Sequence, residues 1–459
     1  MTDFNILNIS AAICTLGCKV NQYESDCIIS EFTRLGFAVK NFDEVCDVYV
    51  INTCTVTAQS DKKSKQMIRR AKKLNENAII AVCGCFSQID PEYLKPNLSN
   101  LSNISVDILA GTADKLKIPQ LALDIFQNKC GFINLVRDIS ECREYENINA
   151  YTSEKTRAYI KIQDGCNSKC SYCIIPLARG KVRSRRYEDI LSEVRRFNNM
   201  DYHEIVFTGI EIASYGSDYD SKDIDLIALL EKLDAEPSLE NITSMRLSSL
   251  DPAYINKNFI DRFARLKKAA NHFHLSLQSG SDKILNLMRR KYNIKTVLEN
   301  MRYAKDRIAG LNITADMIVG FPGESDEDFR KSVDIAEELN IYHTHIFTYS
   351  KRPNTDAAKF ANQIADNIKN DRSRELSDKC KKTKYSILKN IANSSEKCYD
   401  VIIENYHEEN DVKYYTAKTK NYIDIKIFSH DADNNIKIGN MQTVKITGFD
   451  EDFLLCELC

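Results

Sequence analysis

The stretch CNSKCSYCIIPLARG, from Cys166 to Gly180, carries three cysteines within eight residues at C-x3-C-x2-C spacing. We call Cys166, Cys170 and Cys173 the compact triad. Structural zinc sites use four ligands, and no fourth cysteine or histidine follows at comparable spacing, so the pattern argues against structural zinc. Three thiolates suit a [4Fe–4S] cluster that leaves one iron open to another ligand. Three reduced loop cysteines are the plainer alternative.

Composition and length set the wider frame. The chain has 459 residues, of which 43% are hydrophobic and 28% charged, as in ordinary soluble globular proteins. This length suggests roughly three domains. No signal-peptide core or membrane-spanning run is visible, so we expect a cytoplasmic protein. Sixteen cysteines in such a chain favour metal or redox chemistry over disulfides.

Charge is nearly balanced overall but uneven locally. The formal net charge is −2, yet three stretches are strongly basic: Ser60–Lys73 carries a net +6, Arg179–Arg196 a net +4 and Lys369–Lys389 a net +5. A charged helix face is often only solvated. Three such stretches on one near-neutral chain predict a surface that binds a polyanion.

Residues 9–130 alternate short apolar runs with polar helical patterns. This alternation predicts a small doubly wound domain with a parallel sheet. The predicted strands are Ala11–Gly17, Asp47–Thr53, Ala78–Gly84 and Val106–Gly111.

A second set of cysteines follows the predicted strands of this domain. Cys18, Cys54 and Cys85, which we call the dispersed triad, come just after the first three strands. Ligands of open parallel sheets gather outside the carboxyl ends of the strands, so these loops should bring three thiols to one edge. Cys83 competes with Cys85, and Cys14 with Cys18, but both competitors lie inside strand patterns and are interpreted as core.

The rest of the chain is predicted to form two domains. Residues 152–383 contain six strand candidates with helical patterns between them, which predicts a partial (β/α)6 barrel with active-site loops at the strand carboxyl ends. The candidates begin at Ala158, Glu204, Thr243, His272, Ile313 and Thr344. Residues 384–459 contain short strand patterns separated by polar turns and predict a small antiparallel β-barrel or sandwich.

These motifs resemble a known enzyme family. C-x3-C-x-φ-C after the first strand of a partial barrel, with Tyr172 at the aromatic position, resembles the radical S-adenosylmethionine enzymes. In that family the open iron binds the cofactor's amino and carboxylate groups, and reduction yields a 5′-deoxyadenosyl radical. More narrowly, the chain is similar to the methylthiotransferases over nearly its whole length. The supporting motifs are CTLGCKVNQYESD, VINTCTVT, CGCFSQ, TGIEIASYG, HLSLQSGSDKILNLMRRKY, ADMIVGFPGESDEDF and YTAKTKNYIDIKI.

The resemblance implies two [4Fe–4S] clusters, one on each triad, with S-adenosyl-L-methionine as the cofactor. It also implies that the C-terminal region is a TRAM-like RNA-binding barrel. The segments GCKVNQYES, RGKVRSR and TGIEIASYG are most similar to those of one branch of the family. That branch acts on N6-threonylcarbamoyladenosine at position 37 of tRNA and adds a methylthio group. Isopentenyladenosine in tRNA and an aspartate of a ribosomal protein are the targets of the other branches. A non-catalytic iron–sulfur, RNA-binding protein is the alternative of another class.

The resemblance also assigns cofactor-binding positions. Gly209 and Glu211 would lie near the methionine end of the cofactor. Ser276 and Gln278 alternate in a strand, so both would point inward at the ribose. Gly320 belongs to the tight turn GFPGE, where backbone would approach the adenine closely. A turn with a solvent-exposed carboxylate and polar filling of a barrel are the plainer readings of these positions.

Two further groups of residues need an interpretation. His272 and His274 are interpreted as packed barrel residues. The threonylcarbamoyl group carries a carboxylate, and Arg183, Arg185 and Arg186 follow the cluster loop, where arginine could grip it bidentately. The same arginines could instead hold phosphate or the cofactor's carboxylate.

The expected partners follow from this chemistry. They are tRNA, recognised through its anticodon loop, and a reductant protein such as flavodoxin or ferredoxin; neither DNA nor a membrane is expected. Residues 395–459 carry a net charge of −6, so the C-terminal barrel would touch RNA through a restricted face only. Cys456 and Cys459 have C-x2-C spacing, but two thiols without further ligands are weak evidence for a metal.

Overall fold

The computed structural model describes residues 9–95, 106–128, 131–150, 156–221, 223–409, 412–428 and 436–459. The predicted domain boundaries at 130 and 152 lie outside these residues. The chain divides into two compact units. Unit 1 comprises Met1–Ser153, Lys161–Arg185 and Ser350–Ala358, and unit 2 comprises Glu154–Ile160, Arg186–Tyr349 and Lys359–Cys459. The compact triad therefore belongs to the same unit as the dispersed triad.

The first part of unit 1 is a parallel sheet with helices on both faces. Its elements are β1 (Ser10–Thr15), α1 (Lys19–Arg34), β2 (Ala38–Lys40), β3 (Val48–Thr53), α2 (Ala58–Leu74), β4 (Ile79–Gly84), α3 (Cys85–Ile89), β5 (Ile108–Leu109), α4 (Ile118–Asn128) and β6 (Ile133–Asn134). The strand order is β2-β1-β3-β4-β5-β6, and the pairs are parallel. The predicted doubly wound arrangement is confirmed. The short strands β2 and β6 were not predicted from the sequence.

The central strands are buried on both faces, which explains their continuous apolar sequence. On strand β3, Val48 and Val50 pack with α1 and α4 on one face of the sheet. Tyr49 and Ile51 pack on the other face, where Ile68 of α2 lies. The two cores hold the strand ends, and hence the loops that follow them, in fixed positions.

The second part of unit 1 carries the cysteine-rich stretch. Its elements are β7 (Ala158–Asp164), α5 (Ile175–Arg179) and β8 (Arg183–Ser184). Strand β7 begins in unit 2 and ends in unit 1. Strand β8 pairs antiparallel with the end of β7, and this short strand was not predicted.

Unit 2 contains the remaining strands of the partial barrel. Its elements are α6 (Tyr187–Asn199), β9 (Glu204–Gly209), α7 (Leu226–Asp234), β10 (Ser244–Leu247), α8 (Lys257–Phe263), β11 (His272–Gln278), α9 (Asp282–Leu287), α10 (Ile294–Arg307), β12 (Asn312–Val319), α11 (Asp326–Glu338) and β13 (His343–Thr348). The strand orders are β10-β9-β7-β8 and β11-β12-β13. Parallel bridges at Met245–Ala269 and Leu250–Leu275 link β10 to the second group. The six predicted strands and the α/β class are confirmed.

The C-terminal region of unit 2 is a closed five-stranded barrel preceded by a long helix. Its elements are α12 (Asp366–Ala392), β14 (Cys398–Glu409), β15 (Val412–Thr419), β16 (Asp424–Phe428), β17 (Met441–Phe449) and β18 (Leu454–Leu458), and the barrel order is β14-β15-β16-β18-β17. Helix α12 continues past Lys384, where the sequence pattern placed the domain start. Ile387, Leu388 and Ile391 pack against the barrel core, so the end of this helix joins the barrel.

Short 3-10 helices occupy Glu92–Leu94, Lys115–Lys117, Ile139–Glu141, Ile212–Ser214, Pro252–Tyr254 and Ala357–Lys359. In the part of the chain that the structure describes, every helix is too short or too polar to cross a bilayer.

Candidate functional site

The dispersed triad lies at the carboxyl edge of three adjacent strands. Cys18 precedes α1 and is exposed, Cys54 follows β3 and is buried, and Cys85 begins α3 and is buried. The pKa of Cys54 is raised to about 11 by burial and by the neighbouring thiols of Cys85 and Cys18. The strand order β1-β3-β4 thus brings these three thiols within electrostatic range of one another.

Two glycines allow the loops of the dispersed triad to close on each other. Gly17 has φ +97°, and a Cβ there would lie 2.8 Å from Sγ of Cys54. Gly84 has φ +103°, and a Cβ there would lie 2.4 Å from the carbonyl oxygen of Thr53. Any larger residue would push these loops apart, because both close approaches involve groups that cannot easily move.

The two competing cysteines occupy different environments. Cys83 lies inside β4, is fully buried and packs in the core that includes Ala11 and Val50. Burial raises its pKa to about 12. Cys14 lies in β1, is half-buried, and has Lys63 and Arg70 among the charges around it.

The compact triad lies on one irregular loop between β7 and α5, and its thiols are half-buried. The backbone N–H of Cys166 donates to Gly180 at 3.0 Å, which closes the loop at its base. Gly165 at the same base has φ +72°, and a Cβ there would clash with the carbonyl of Lys181 at 1.9 Å. The backbone N–H of Cys173 donates to the carbonyl of Cys170 at 3.1 Å. These bonds hold the three thiols on a single small, closed loop.

A buried ionic network adjoins the dispersed triad, and sequence reasoning missed it. Arg179, which is fully buried, donates through Nη2 to Glu24 at 3.0 Å and to Asn21 at 2.6 Å. Its Nε donates to Sγ of Cys85 at 3.4 Å. The guanidinium therefore links the helix after the compact triad to a thiol of the dispersed triad.

Two buried lysines complete this network. Lys161 donates to Glu24 at 2.8 Å and to Asp164 at 2.6 Å, and Lys115 also pairs with Glu24. Burial alone would raise the pKa of Glu24, yet Arg179, Lys115 and Lys161 hold it well below its usual value. Arg183 also lies 3.6 Å from Asp164, so four buried cations face these two carboxylates and the network holds an excess of positive charge beside the thiols. A lysine inside the apolar strand pattern AYIKIQ was the available sequence signal.

Two of the predicted cofactor positions follow strand β9 of unit 2. Gly209 ends β9, and Glu211 precedes the 3-10 helix Ile212–Ser214. Burial raises the pKa of Glu211 to about 7, with Asp251 raising it further and Arg290 opposing. A buried carboxyl that is poised near neutrality can bind a cation or hold a proton.

The expected alternation of Ser276 and Gln278 is broken in the structure. The pairing of β11 with β12 shifts register between Leu275 and Gln278, and Gln278 lies opposite Met317 with φ +63°. An extra residue on one strand changes which face the following side chains take. Ser276 is half-buried and Gln278 is buried, so the two cannot be assigned to one face by simple alternation.

Gly320 makes its close contact with a side chain of the same unit. It has φ +71°, and a Cβ there would lie 2.3 Å from Cγ of Lys369. Its N–H donates to Glu324 at 2.7 Å, and Glu324 pairs with Arg372 at 2.7 Å. Tyr172, on the compact-triad loop in unit 1, is half-buried.

The three candidate arginines differ in accessibility. Arg183 is buried and donates to the carbonyls of Arg179 and Lys181 at 3.0 Å. Arg185 is fully buried and donates to Tyr23 at 3.2 Å and to Asn149 at 2.7 Å. Both side chains are committed to internal bonds within unit 1.

Arg186, in contrast, is exposed and belongs to unit 2. It lines a cavity of about 250 Å³ together with Tyr187, Tyr215 and Tyr219. A guanidinium among aromatic rings can bind a planar ring together with an anionic group.

Comparisons with known proteins agree with these features. Residues 160–336 match the model of the radical SAM superfamily, and residues 10–105 match the uncharacterized protein family UPF0004. The chain is 37% identical to the threonylcarbamoyladenosine tRNA methylthiotransferase MtaB of Bacillus subtilis, over 95% of this chain and 93% of that protein. The same-named protein of Aquifex aeolicus is 36% identical over 90% of this chain and 95% of that protein.

Two other comparisons give lower sequence identities. A tRNA-2-methylthio-N(6)-dimethylallyladenosine synthase of Alkaliphilus oremlandii is 32% identical over 95% of this chain and 89% of that protein. Among solved structures, the radical S-adenosylmethionine methyltransferase TsrM of Kitasatospora setae superposes with a TM-score of 0.52 at 15% identity. That superposition covers 76% of this chain and 77% of TsrM, and it supports the fold alone.

Proposed function

This chain belongs to the radical S-adenosylmethionine tRNA methylthiotransferases, and on that premise we propose that it converts N6-threonylcarbamoyladenosine at position 37 of tRNA into its 2-methylthio derivative. Similarity over nearly the full length carries the choice of substrate. Relatives named for threonylcarbamoyladenosine are 33–37% identical, whereas those named for dimethylallyladenosine are 31–32% identical.

We assign one [4Fe–4S] cluster to each cysteine triad, and the residues around the triads fit such groups. Each triad supplies three thiols, and a [4Fe–4S] cluster held by three thiolates has one iron open to another ligand. The close approach at Gly17 and the excess buried positive charge around Arg179 suit an anionic, thiolate-bound group at the dispersed triad. When bound, the compact-triad cluster supplies the electron that cleaves S-adenosylmethionine, and the dispersed-triad cluster supplies the site of sulfur transfer.

The chain's own residues would bind and orient the cofactor and the modified base. Tyr172, Gly209, Glu211, Ser276, Gln278 and Gly320 remain the proposed cofactor positions. Among them Glu211 is the group suited to the cofactor's amino group, because its carboxyl is buried and can ionise near neutral pH.

Of the three arginines proposed for the substrate carboxylate, Arg186 is favoured. To reach a ligand, Arg183 and Arg185 would have to break internal hydrogen bonds. Their buried partners would then be left unpaired, which costs free energy. Arg186 is exposed beside three tyrosines and has no such cost.

The proposed partners are tRNA, recognised through its anticodon loop, and a reductant protein such as flavodoxin or ferredoxin. Bases in single-stranded loops can be splayed into a pocket, which a base in a duplex cannot. A tRNA substrate implies that the enzyme works in the cytoplasm.

The substrate is tested with purified, reconstituted enzyme and two tRNA preparations. One carries threonylcarbamoyladenosine and the other isopentenyladenosine, and nucleoside mass spectrometry reads out the methylthio product. We expect product from the first tRNA only, and an Arg186→Gln variant should raise KM for it. Equal turnover of the two tRNAs would overturn the assignment, and formation of 5′-deoxyadenosine without product from either would direct the search to a protein substrate.

The cluster assignment is tested by iron content. Two clusters give about eight irons per chain after anaerobic reconstitution. Replacing the compact triad with alanine should halve the iron and abolish cofactor cleavage. Replacing the dispersed triad should halve the iron and abolish methylthiolation while cofactor cleavage continues. Cys83→Ala is the matched control and should retain both; full iron in either triad variant would remove that triad from the assignment.

A further inference from the structure

Three side chains on neighbouring strands of unit 2 bring metal-binding atoms together. His274 lies on β11, Asp316 on β12 and His345 on β13, and Asp316 is directly opposite His345 in the strand register. One ligand atom from each residue lies within 4.8 Å of the other two. Nε2 of His274 is 3.2 Å from Oδ1 of Asp316, and the two imidazole rings are 5.5 Å apart.

Second polar contacts also orient the first two of these side chains, His274 and Asp316. Nδ1 of His274 is 2.7 Å from Oγ1 of Thr314, so this contact fixes the ring and leaves Nε2 facing the cluster. Oδ2 of Asp316 lies 3.5 Å from Oγ of Ser249, which leaves Oδ1 for the cluster. Metal-binding histidines and carboxylates are characteristically oriented by such second contacts.

Packing alone does not account for this cluster. A histidine that only fills a barrel is buried on all sides, whereas His345 is exposed and Asp316 is partly exposed. In the part of the chain that the structure describes, Asp316 pairs with no lysine or arginine, and its ionic partner is His274. A carboxylate beside two imidazoles is a favourable environment for a divalent cation.

We propose that His274, Asp316 and His345 form a mononuclear site for a divalent transition-metal ion. Two imidazoles and one carboxylate are a known ligand set for such ions, and three protein ligands leave positions open for water or an anionic oxygen ligand. Metal–ligand distances near 2.1 Å place ligand atoms roughly 3 Å apart. The site therefore closes by rotation of the exposed His345 ring toward the other two residues.

The test uses Mn²⁺ and the full-length, cluster-loaded protein. Loaded clusters occupy the thiols of both triads, and Mn²⁺ prefers oxygen and nitrogen ligands to the remaining thiols. The oxidised clusters are silent in electron paramagnetic resonance, so the six-line signal of free Mn²⁺ reports binding directly. We expect the amplitude of that signal to fall by the equivalent of one bound Mn²⁺ per chain.

Three variants and one control decide the assignment. His345→Ala and Asp316→Asn should abolish this fall in amplitude, and Thr314→Val should weaken the affinity about tenfold or more by releasing the His274 ring. His407→Ala removes a histidine of the C-terminal barrel and should bind like the parent protein. The absence of binding by the parent protein, or equal binding by His345→Ala, would overturn the proposal. Because His345 is exposed, its replacement leaves the fold intact.

Discussion

At the residue scale, the side chain of Arg179 connects a buried carboxylate to a thiol of the dispersed triad. Its guanidinium is fully buried and bonds to Glu24, Asn21 and Cys85. A buried ion pair is costly to form, but removing one partner leaves an uncompensated charge in a medium that cannot solvate it. Replacing Arg179 alone is therefore expected both to destabilise the fold and to release the thiol of Cys85.

We predict that Arg179→Gln lowers the unfolding free energy by about 3 kcal/mol, because Glu24 and Cys85 lose their shared donor. Urea titration of the purified protein measures this loss. Arg34→Gln is the matched control, since Arg34 forms an exposed pair with Glu31 on α1 and such pairs contribute little. Equal losses in the two variants would show that the buried network has no special role.

Glu211 provides a pH-dependent test at the same scale. Because burial raises its folded pKa to about 7, above the ordinary value of 4.5, the folded state holds the proton more tightly than the unfolded state. The associated stability is complete below about pH 4.5 and is lost as pH rises through 7. The loss amounts to roughly 3 kcal/mol.

Glu211→Gln should remove this dependence, so the variant gains stability relative to the parent protein as pH rises from 5 to 8. Unfolding free energies measured across that range give the difference directly. Glu188→Gln, at an exposed position of α6, should leave the two pH profiles parallel. Parallel profiles for Glu211→Gln as well would contradict the assigned pKa.

At the scale of elements, the turn between β15 and β16 joins the C-terminal barrel to the start of the strands of unit 2. Tyr422 has φ +71° and stacks on His272 at 4.7 Å with rings nearly parallel. The guanidinium of Arg246 lies 4.9 Å from the same ring. Asn421 donates to the carbonyl of Gly310 at 3.0 Å. This turn is consequently a packed contact between the barrel and the strands of unit 2.

We expect Tyr422→Ala to destabilise unit 2 by about 1–3 kcal/mol, through loss of the stacked and cation–π contacts. Tyr414→Ala is the control, because Tyr414 stacks on His407 within the barrel alone. Limited proteolysis should then release the C-terminal barrel faster in Tyr422→Ala than in Tyr414→Ala. Equal release would mean that other contacts hold the barrel.

The elements that escaped sequence prediction share physical causes. Strands β2, β6 and β8 have only two or three residues, too few for a periodic pattern to be recognised. The end of helix α12 packs Leu388 into the barrel core, a tertiary contact that a local pattern does not reveal. The bulge near Gln278 depends on the pairing of two strands, which one strand's sequence does not encode.

At the scale of the whole molecule, the sequence predicted the α/β architecture and the barrel strands because each has a local pattern. It did not predict the ionic network, since Glu24 and Arg179 are 155 residues apart and meet only in the fold. The sequence also overstated the exposed positive charge of the stretch Arg179–Arg196. Arg179, Arg183 and Arg185 are buried and bonded internally, so they add nothing to a surface that could meet RNA.

The basic stretch on α2 is different, because most of its cations are exposed. Phosphate contacts release counterions, so the affinity for tRNA falls with salt in proportion to the number of contacts. We predict that glutamine at three exposed α2 positions lowers the slope of log affinity against log salt by about 2 to 3. The three positions are Lys62, Lys63 and Arg69.

The matched control removes three exposed lysines from the acidic C-terminal barrel. Those positions are Lys413, Lys437 and Lys445. Because residues 395–459 carry a net charge of −6, few phosphates should contact this barrel, and the slope should change by less than one. Filter binding of tRNA at four or more salt concentrations measures both slopes. A large change in the control with none in the α2 variant would move the RNA-binding surface to the barrel, and the restricted-face prediction for that barrel would be wrong.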